Sequence, residues 1–401
     1  MSSPRVRVGL ENLLTDEHLH VLKGKRVGLI CNASTIFPDF RHAIDVFHAH
    51  PDFELARLFG PEHGLRGDAQ DMIPVDGGET DRRTGLPIVS LYGQDEEALR
   101  PAPETFEDLD VVVFDIQDVG ARYYTYVYTM AHAMETAVGT GTRIVVCDRP
   151  NPIGGTHVEG NIVQDGFRSF VGRFPLPNRH GMTAGELAAW FKLDQGIDCD
   201  LYVVAATGWT RDMPYDACGI PWVQPSPNMP TVDTALVYPG TCFFEGTLLS
   251  EGRGHTKPFE VVGAPYVEGH AWAEATTADL HGAGYGGFAL RPLVFRPTFH
   301  KHGEQACGGI QLHVTDPVAF RPVMTAVALM KSAWALWPDD VAWRTERYEY
   351  VEHPIAIDLL GGSEALRHEV EGGAGLREIQ ARWDAEVAEF LESRARYLAY
   401  S

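Results

Sequence analysis

The sequence predicts an α/β protein: a mostly parallel sheet domain over residues 1–240, followed by a smaller α+β auxiliary domain over 241–401. Three observations carry that expectation. Short apolar runs alternate with helical patterns through about the first 230 residues, as parallel strands joined by crossover helices require. Gly-, Pro- and polar-rich clusters fall directly after those runs. From about Tyr238 the pattern gives way to a Gly-rich stretch and then to mixed strands and helices.

Taken in order, strands are expected at 26–31, 53–59, 88–91, 111–115, 144–147 and 201–205, with helices at 41–49, 122–138 and 184–193. The last helix opens with Thr183 and carries Glu186 three residues on, the spacing of a capping box. A charged amphipathic helix over 376–397 ends the chain, and no repeat or heptad array interrupts it. A chain of 401 residues exceeds one compact core of ordinary size, which is why two domains are expected.

Composition narrows the function. The chain is 44% hydrophobic and 22% charged, and no apolar run approaches the roughly 20 residues of a membrane span. A formal net charge of −22 repels polyanions, so neither nucleic acid nor an anionic membrane surface is an expected partner. Six cysteines (Cys31, Cys147, Cys199, Cys218, Cys242 and Cys307) lie apart without a C-x-x-C pair and are expected as buried thiols. The first ten residues hold no secretory apolar stretch, so a cytoplasmic location is expected.

The strand-end clusters are Pro61-Glu62-His63-Gly64, Gln117-Asp118-Val119-Gly120 and Asp148-Arg149-Pro150-Asn151-Pro152. In an open α/β sheet the carboxyl ends of the strands line the ligand crevice, so the three clusters converge on one cleft. A nucleotide is not its expected occupant. The first strand leads into Asn32-Ala33-Ser34-Thr35, without a glycine to admit a pyrophosphate. The one G-x-G-x-x-G match, at Gly282, Gly284 and Gly287, follows a helical segment and precedes a strand, the reverse of a dinucleotide site. P-loop, zincin and nucleophile-elbow motifs are absent, and the 17 histidines show no ligand spacing, so neither metal nor cofactor is expected.

What remains is a set of carboxylates in loops: Glu62, Asp118, Glu245 and Glu251. Glycosidic cleavage usually needs a carboxylic acid to protonate the leaving oxygen and a second group to attack or stabilise the anomeric centre. Each of these residues taken singly fits a turn or cap equally well. Arg122, Tyr123, Tyr124 and Tyr126 are expected to open a helix, where an arginine can hold a carboxylate and rings can stack on sugar. Pro225-Ser226-Pro227-Asn228-Met229-Pro230 is a stiff run that can aim Asn228 at a ligand amide, with Trp222 beside it read as packing.

Seven ordered segments carry a family resemblance: 59–67, 90–93, 114–126, 148–152, 180–183, 225–230 and 250–254, among them Phe59-Gly60-Pro61-Glu62-His63-Gly64-Leu65-Arg66-Gly67 and Ser250-Glu251-Gly252-Arg253-Gly254. In these the chain resembles the exo-lytic beta-N-acetylmuramidase family over most of its length. The resemblance implies a Rossmann-like catalytic domain, a smaller auxiliary domain and a cleft near their junction. It implies release of N-acetylmuramic acid from the non-reducing end of peptidoglycan-derived saccharides such as a muropeptide sugar. Glu62 is then the leading catalytic carboxylate, read as general acid, a role that burial or a neighbouring carboxylate supports. Glu251 or Asp118 is the expected second group, with the substrate's own acetamido group as an alternative nucleophile. The expected substrate-binding set is His63, Arg66, Tyr92, Gln117, Arg122, Tyr123, Tyr124, Arg149, Asn151, Asn228 and Arg253, with Arg122 or Arg253 pairing the lactyl carboxylate of muramic acid. The rival readings are a non-catalytic cell-wall-fragment binding protein and a nucleotide-dependent oxidoreductase.

Overall fold

The computed structural model describes residues 5–67, 80–93 and 96–401. In its first half the strands are β1 (Arg26–Cys31), β2 (Glu54–Gly60), β3 (Ile88–Ser90), β4 (Val111–Asp115), β5 (Arg143–Cys147), the short β6 (Glu159–Ile162) and β7 (Pro177–Arg179), and β8 (Leu201–Val204). The helices between them are α1 (Gly9–Leu13), α2 (Ala43–His48), α3 (Tyr126–Thr140) and α4 (Ala184–Leu193). All but β6 and β7 form one sheet in the order β3-β2-β1-β4-β5-β8, every neighbouring pair parallel. That is the doubly wound order, and the winding reverses between β1 and β4, where a crevice opens at the strand ends.

Side-chain alternation explains why these runs make a sheet covered on both faces. Val112 and Phe114 of β4 join the core under α3 and α4, built from Met130, Met134, Leu187 and Phe191. Val111 and Val113 point the other way and meet Leu10, Leu13, Ile44 and Phe47 of α1 and α2. Period two, with both faces apolar, is what a buried parallel strand demands.

The rest of the chain holds α5 (Val232–Thr241), β9 (Val261–Ala264), α6 (Gly269–Ala283), β10 (Phe288–Phe295), β11 (Cys307–Val314), α7 (Pro322–Leu336), α8 (Ala356–Gly361), α9 (Ala365–Gly372) and α10 (Leu376–Arg394). β9, β10 and β11 form an antiparallel sheet in the order β10-β11-β9. Helix α7 is buried almost all round, and the apolar stripe of α10 (Leu376, Ile379, Trp383, Val387, Phe390) has the three-and-four spacing of a one-faced helix. The larger core runs without a break from the parallel sheet into Trp272, Ile310 and Val327 of this second half. The chain's last residues return to the parallel sheet, where the Tyr400 hydroxyl donates to Asp148 Oδ2 at 2.6 Å. No helix among the described residues is long and apolar enough to cross a membrane.

Two expectations need correction. The helix expected at 122–138 begins only at Tyr126, because Ala121 bridges to Arg179 and the Arg122 N–H donates to Asn178 O, so that segment adds to the β6–β7 ribbon. The ribbon itself was not foreseen. The last helix stops at Arg394 and leaves Tyr397 for a turn whose hydroxyl donates to Asp194. The glycine triplet lies as expected: Gly284 caps α6 at φ +93° and Gly287 turns into β10.

Candidate active site

The carboxyl end of β2 runs into Pro61 and a tight turn in which His63 and Gly64 both take positive φ, 66° and 75°. This turn places Glu62 over the crevice, only 6% exposed. Opposite it, α3 begins. Thr125, its N-cap, donates from Oγ1 to Glu62 Oε2 at 2.5 Å. One carboxyl oxygen is thereby fixed, on a side chain that lines the cavity.

Glu62 and His63 share a pocket with Tyr123, Tyr124, Asn228, Glu245, Arg253, Phe259 and Glu349, enclosing about 500 Å³ of unfilled space with its mouth included. The rings on its walls are locked edge to face: Tyr123 on Tyr238, Tyr124 on Tyr126, and Tyr238 on Phe259. Their hydroxyls are held too, Tyr124 to Ser226 Oγ at 3.0 Å and Tyr123 to Pro239 O. Burial pushes both phenols well above their ordinary value, so they act as neutral donors. Tyr92, past the end of β3, donates to Glu349 Oε2 at 3.2 Å. Burial, then the nearby Glu62 and Glu349 charges, raise its phenol far above the ordinary range.

The opposite wall comes from the loop 250–259. Gly252 and Gly254 both sit at positive φ, which lets the backbone fold tightly and project Arg253 between them. Its guanidinium donates to Glu245 Oε1 at 2.6 Å and lies over the Phe259 ring, 5.1 Å from the centroid. Glu245 also accepts from the Tyr348 hydroxyl at 2.6 Å.

Several residues expected in the cleft are found elsewhere, each for a local reason. Arg122 is fully buried and donates to the carbonyls of Asn161, Leu176 and Leu360 at 2.6 to 2.8 Å, and burial lowers its pKa to about 10. Glu251 lies behind the pocket, with Lys301 Nζ at 2.8 Å, His300 Nδ1 at 3.2 Å and Arg253 Nε at 3.4 Å. Asp118 turns back to accept from Gly120 N at 2.8 Å, and His180 Nε2 stands 3.6 Å away. Gly120 is at φ +79°, and a Cβ there would fall 2.6 Å from Asn151 Oδ1, so Asn151 is packed into that turn. Gln117 ties neighbouring loops by donating to Asp118 O and Pro150 O. Arg149 is spent on a buried bidentate pair with Asp115 at 2.8 and 2.6 Å. Arg66 is largely exposed and pairs with Asp81. The pocket thus gathers Glu62, His63, Tyr123, Tyr124, Asn228 and Arg253, with Tyr92 adjoining. Glu349, Tyr348 and Phe259, which it also gathers, carried no signal beyond their residue type.

A larger open groove of about 1440 Å³ lies between α4 and α10, lined by Trp190, Asp194, Phe390 and Arg396. It sits at the carboxyl end of α4 and also holds Glu386, Glu389 and Glu392, but none of the residues expected in the cleft lines it.

A doubly wound sheet whose crevice is walled by carboxylates, an arginine and locked tyrosines defines a sugar-handling α/β protein with carboxylate chemistry. Comparison with known proteins gives the particular family. Residues 27–233 match the N-terminal and residues 236–400 the C-terminal model of exo-beta-N-acetylmuramidase NamZ, and the chain belongs to that family. It is 43% identical over 397 residues to the peptidoglycan beta-N-acetylmuramidase NamZ of Bacillus subtilis strain 168, covering 99% of this chain and 92% of that protein. Two crystal structures of DUF1343 family proteins from Bacteroides fragilis share the fold. One superposes with a TM-score of 0.86 at 35% identity and the other with 0.76 at 29%, each covering 99% of both chains.

Proposed function

We propose that this protein is an exo-acting beta-N-acetylmuramidase, a glycosidase that removes N-acetylmuramic acid from the non-reducing end of peptidoglycan-derived saccharides. The observation that carries the reading is Glu62, a buried carboxyl oriented by Thr125 at the mouth of α3 and facing a pocket across from Arg253. A pocket, unlike a through-groove, suits cleavage from a chain end. Glu62 Oε1 gives its proton to the glycosidic oxygen as the bond to the anomeric carbon breaks. Arg253, held in orientation by Glu245 and Phe259, pairs with the lactyl carboxylate that separates muramic acid from glucosamine. The locked tyrosines and Asn228 offer rings and donors to the sugar face.

The substrate is a small soluble muropeptide sugar; a net charge of −22 disfavours nucleic acid and anionic membrane surfaces as partners. Six cysteines, all of them buried, fit a location in the reducing cytoplasm.

The test is incubation with N-acetylmuramyl-β-1,4-N-acetylglucosamine, separation of products and proton NMR of the new anomeric centre. Free N-acetylmuramic acid is expected. Glu62→Gln is expected to lower kcat by about three orders of magnitude or more with the fold unchanged. Binding of the disaccharide without cleavage by the wild type would instead make the protein a cell-wall-fragment binder.

A further inference from the structure

The hairpin loop between β10 and β11 reaches back over the wall that carries Arg253. Three of its non-glycine residues take positive φ: His300 at 67°, His302 at 55° and Glu304 at 62°. Such backbone costs conformational energy and persists only where the surroundings hold it. Here the segment 244–254 provides the hold. Thr298 N donates to Gly254 O at 3.0 Å, and His302 Nε2 donates to Leu248 O at 2.9 Å. The approach is close enough that a Cβ on Gly254 would fall 2.7 Å from Phe299 O.

Lys301 is the centre of this junction. Its ammonium group donates to Phe244 O at 2.7 Å, to Leu249 O at 3.2 Å and to Glu251 Oε2 at 2.8 Å, an acceptor for each of its three protons. Two of those bonds fix the backbone on either side of Glu245. The third reaches a charge that bears on the pocket.

Glu251 is fully buried, and its Oε1 stands 3.4 Å from Arg253 Nε and 3.2 Å from His300 Nδ1. Arg253 also donates to Glu245 Oε1 at 2.6 Å, so its guanidinium lies between two carboxylates. Each of them subtracts from the attraction that Arg253 exerts on a substrate anion, and burial makes the subtraction larger than it would be in water. Lys301, whose side chain is 13% exposed, answers one of the two charges from behind the wall. It does not line the pocket itself.

We propose that Lys301 determines specificity for muramic acid as a positioning residue: it fixes the segment that carries Glu245 and Arg253 and cancels the Glu251 charge, so that Arg253 attracts the lactyl carboxylate. The inference rests on the reading of Arg253 given above. Because Lys301 acts from behind the wall, its effect falls on the charge of the ligand and not on the sugar ring.

The test titrates N-acetylmuramic acid and its lactyl amide, which differ by one charge, into the full chain by calorimetry. Wild type is expected to bind the acid about tenfold or more tighter than the amide, and Arg253→Ala to bind the two alike. Lys301→Met keeps the length of the stem without its charge. It is expected to bring acid and amide within about threefold of each other while the amide affinity stays within about threefold of wild type. Adding Glu251→Gln to Lys301→Met removes the charge left over and is expected to return the preference for the acid to about tenfold. A merely structural strap would weaken both ligands equally and gain nothing from the second substitution. A Lys301→Met protein that keeps the wild-type preference, one that loses acid and amide alike, or a double variant no better than the single one overturns the proposal. A wild type without preference, or an Arg253→Ala protein that keeps it, brings down the reading of Arg253 and the proposal with it. Cleavage of the disaccharide by wild type is scored separately and decides the glycosidase reading.

Discussion

Arg122 and Arg253 differ in what their guanidinium groups meet. Arg122 spends its donors on three backbone carbonyls from three separate segments, with no exposed surface. Arg122→Ala is expected to leave those carbonyls buried without donors and to destabilise the fold by about 3 kcal/mol or more, read as a lower urea midpoint. Arg253 faces the pocket. Arg253→Ala is expected to raise KM for the muramyl disaccharide by about tenfold or more and to erase its preference over the glucosaminyl analogue, which steady-state kinetics on the pair will measure. The sequence leaves the two as alternatives for one role, since each is an arginine within two residues of a glycine in a segment that follows a carboxylate. What separates them is the β6–β7 ribbon and α8 closing over Arg122, with contacts 39, 54 and 238 residues away in the chain. The place of Glu62 in the pocket was legible for the opposite reason: it stands just past a strand, a purely local fact. Glu349 depends on a distant turn meeting Tyr92, and no local pattern announces that meeting.

Among the elements, the loop 250–259 shows how a buried ion cluster supports a working wall. Burial alone pushes Glu251 up, but Lys301, His300 and Arg253 outweigh it and hold the carboxyl well below its ordinary 4.5. A carboxyl with a lowered folded-state pKa contributes stability that is complete above its unfolded value, about 4.5, and is lost as pH falls below that toward the folded value. Glu251→Gln is expected to cost about 3–5 kcal/mol near neutral pH, since Lys301 and Arg253 lose their buried counter-charge. Urea unfolding at neutral and acid pH will show the gap between wild type and variant shrink as pH falls below 4.5. The strands of the parallel sheet were readable almost to the residue because the central ones are apolar on both faces and several runs, such as β2 and β5, end in a Gly- or Pro-rich turn. The ribbon was not, since Glu159-Gly160-Asn161-Ile162 and Pro177-Asn178-Arg179 have no apolar alternation and exist by virtue of the arginines and carbonyls around them.

At the scale of the whole molecule, one core serves both halves, and the chain's end is built into its beginning. Asp148, at the close of β5, is fully buried; burial raises its pKa, while bonds from Tyr400, Thr183, Gly185 N and Arg149 N oppose the rise. Tyr400 also accepts from Ala206 N at 2.9 Å. Tyr400→Phe is expected to cost about 1–3 kcal/mol in urea unfolding, while kcat on the disaccharide stays within about twofold, because the pocket lies on other strands. The same docking has a consequence for biosynthesis. Asp148 and Tyr400 are 252 residues apart, so at 5–20 residues per second a ribosome makes the partner on the order of tens of seconds after the aspartate. Through that interval the nascent sheet carries the Asp148 carboxylate without the hydroxyl that meets it in the folded molecule, so the site closes long after the strand that bears it has been made.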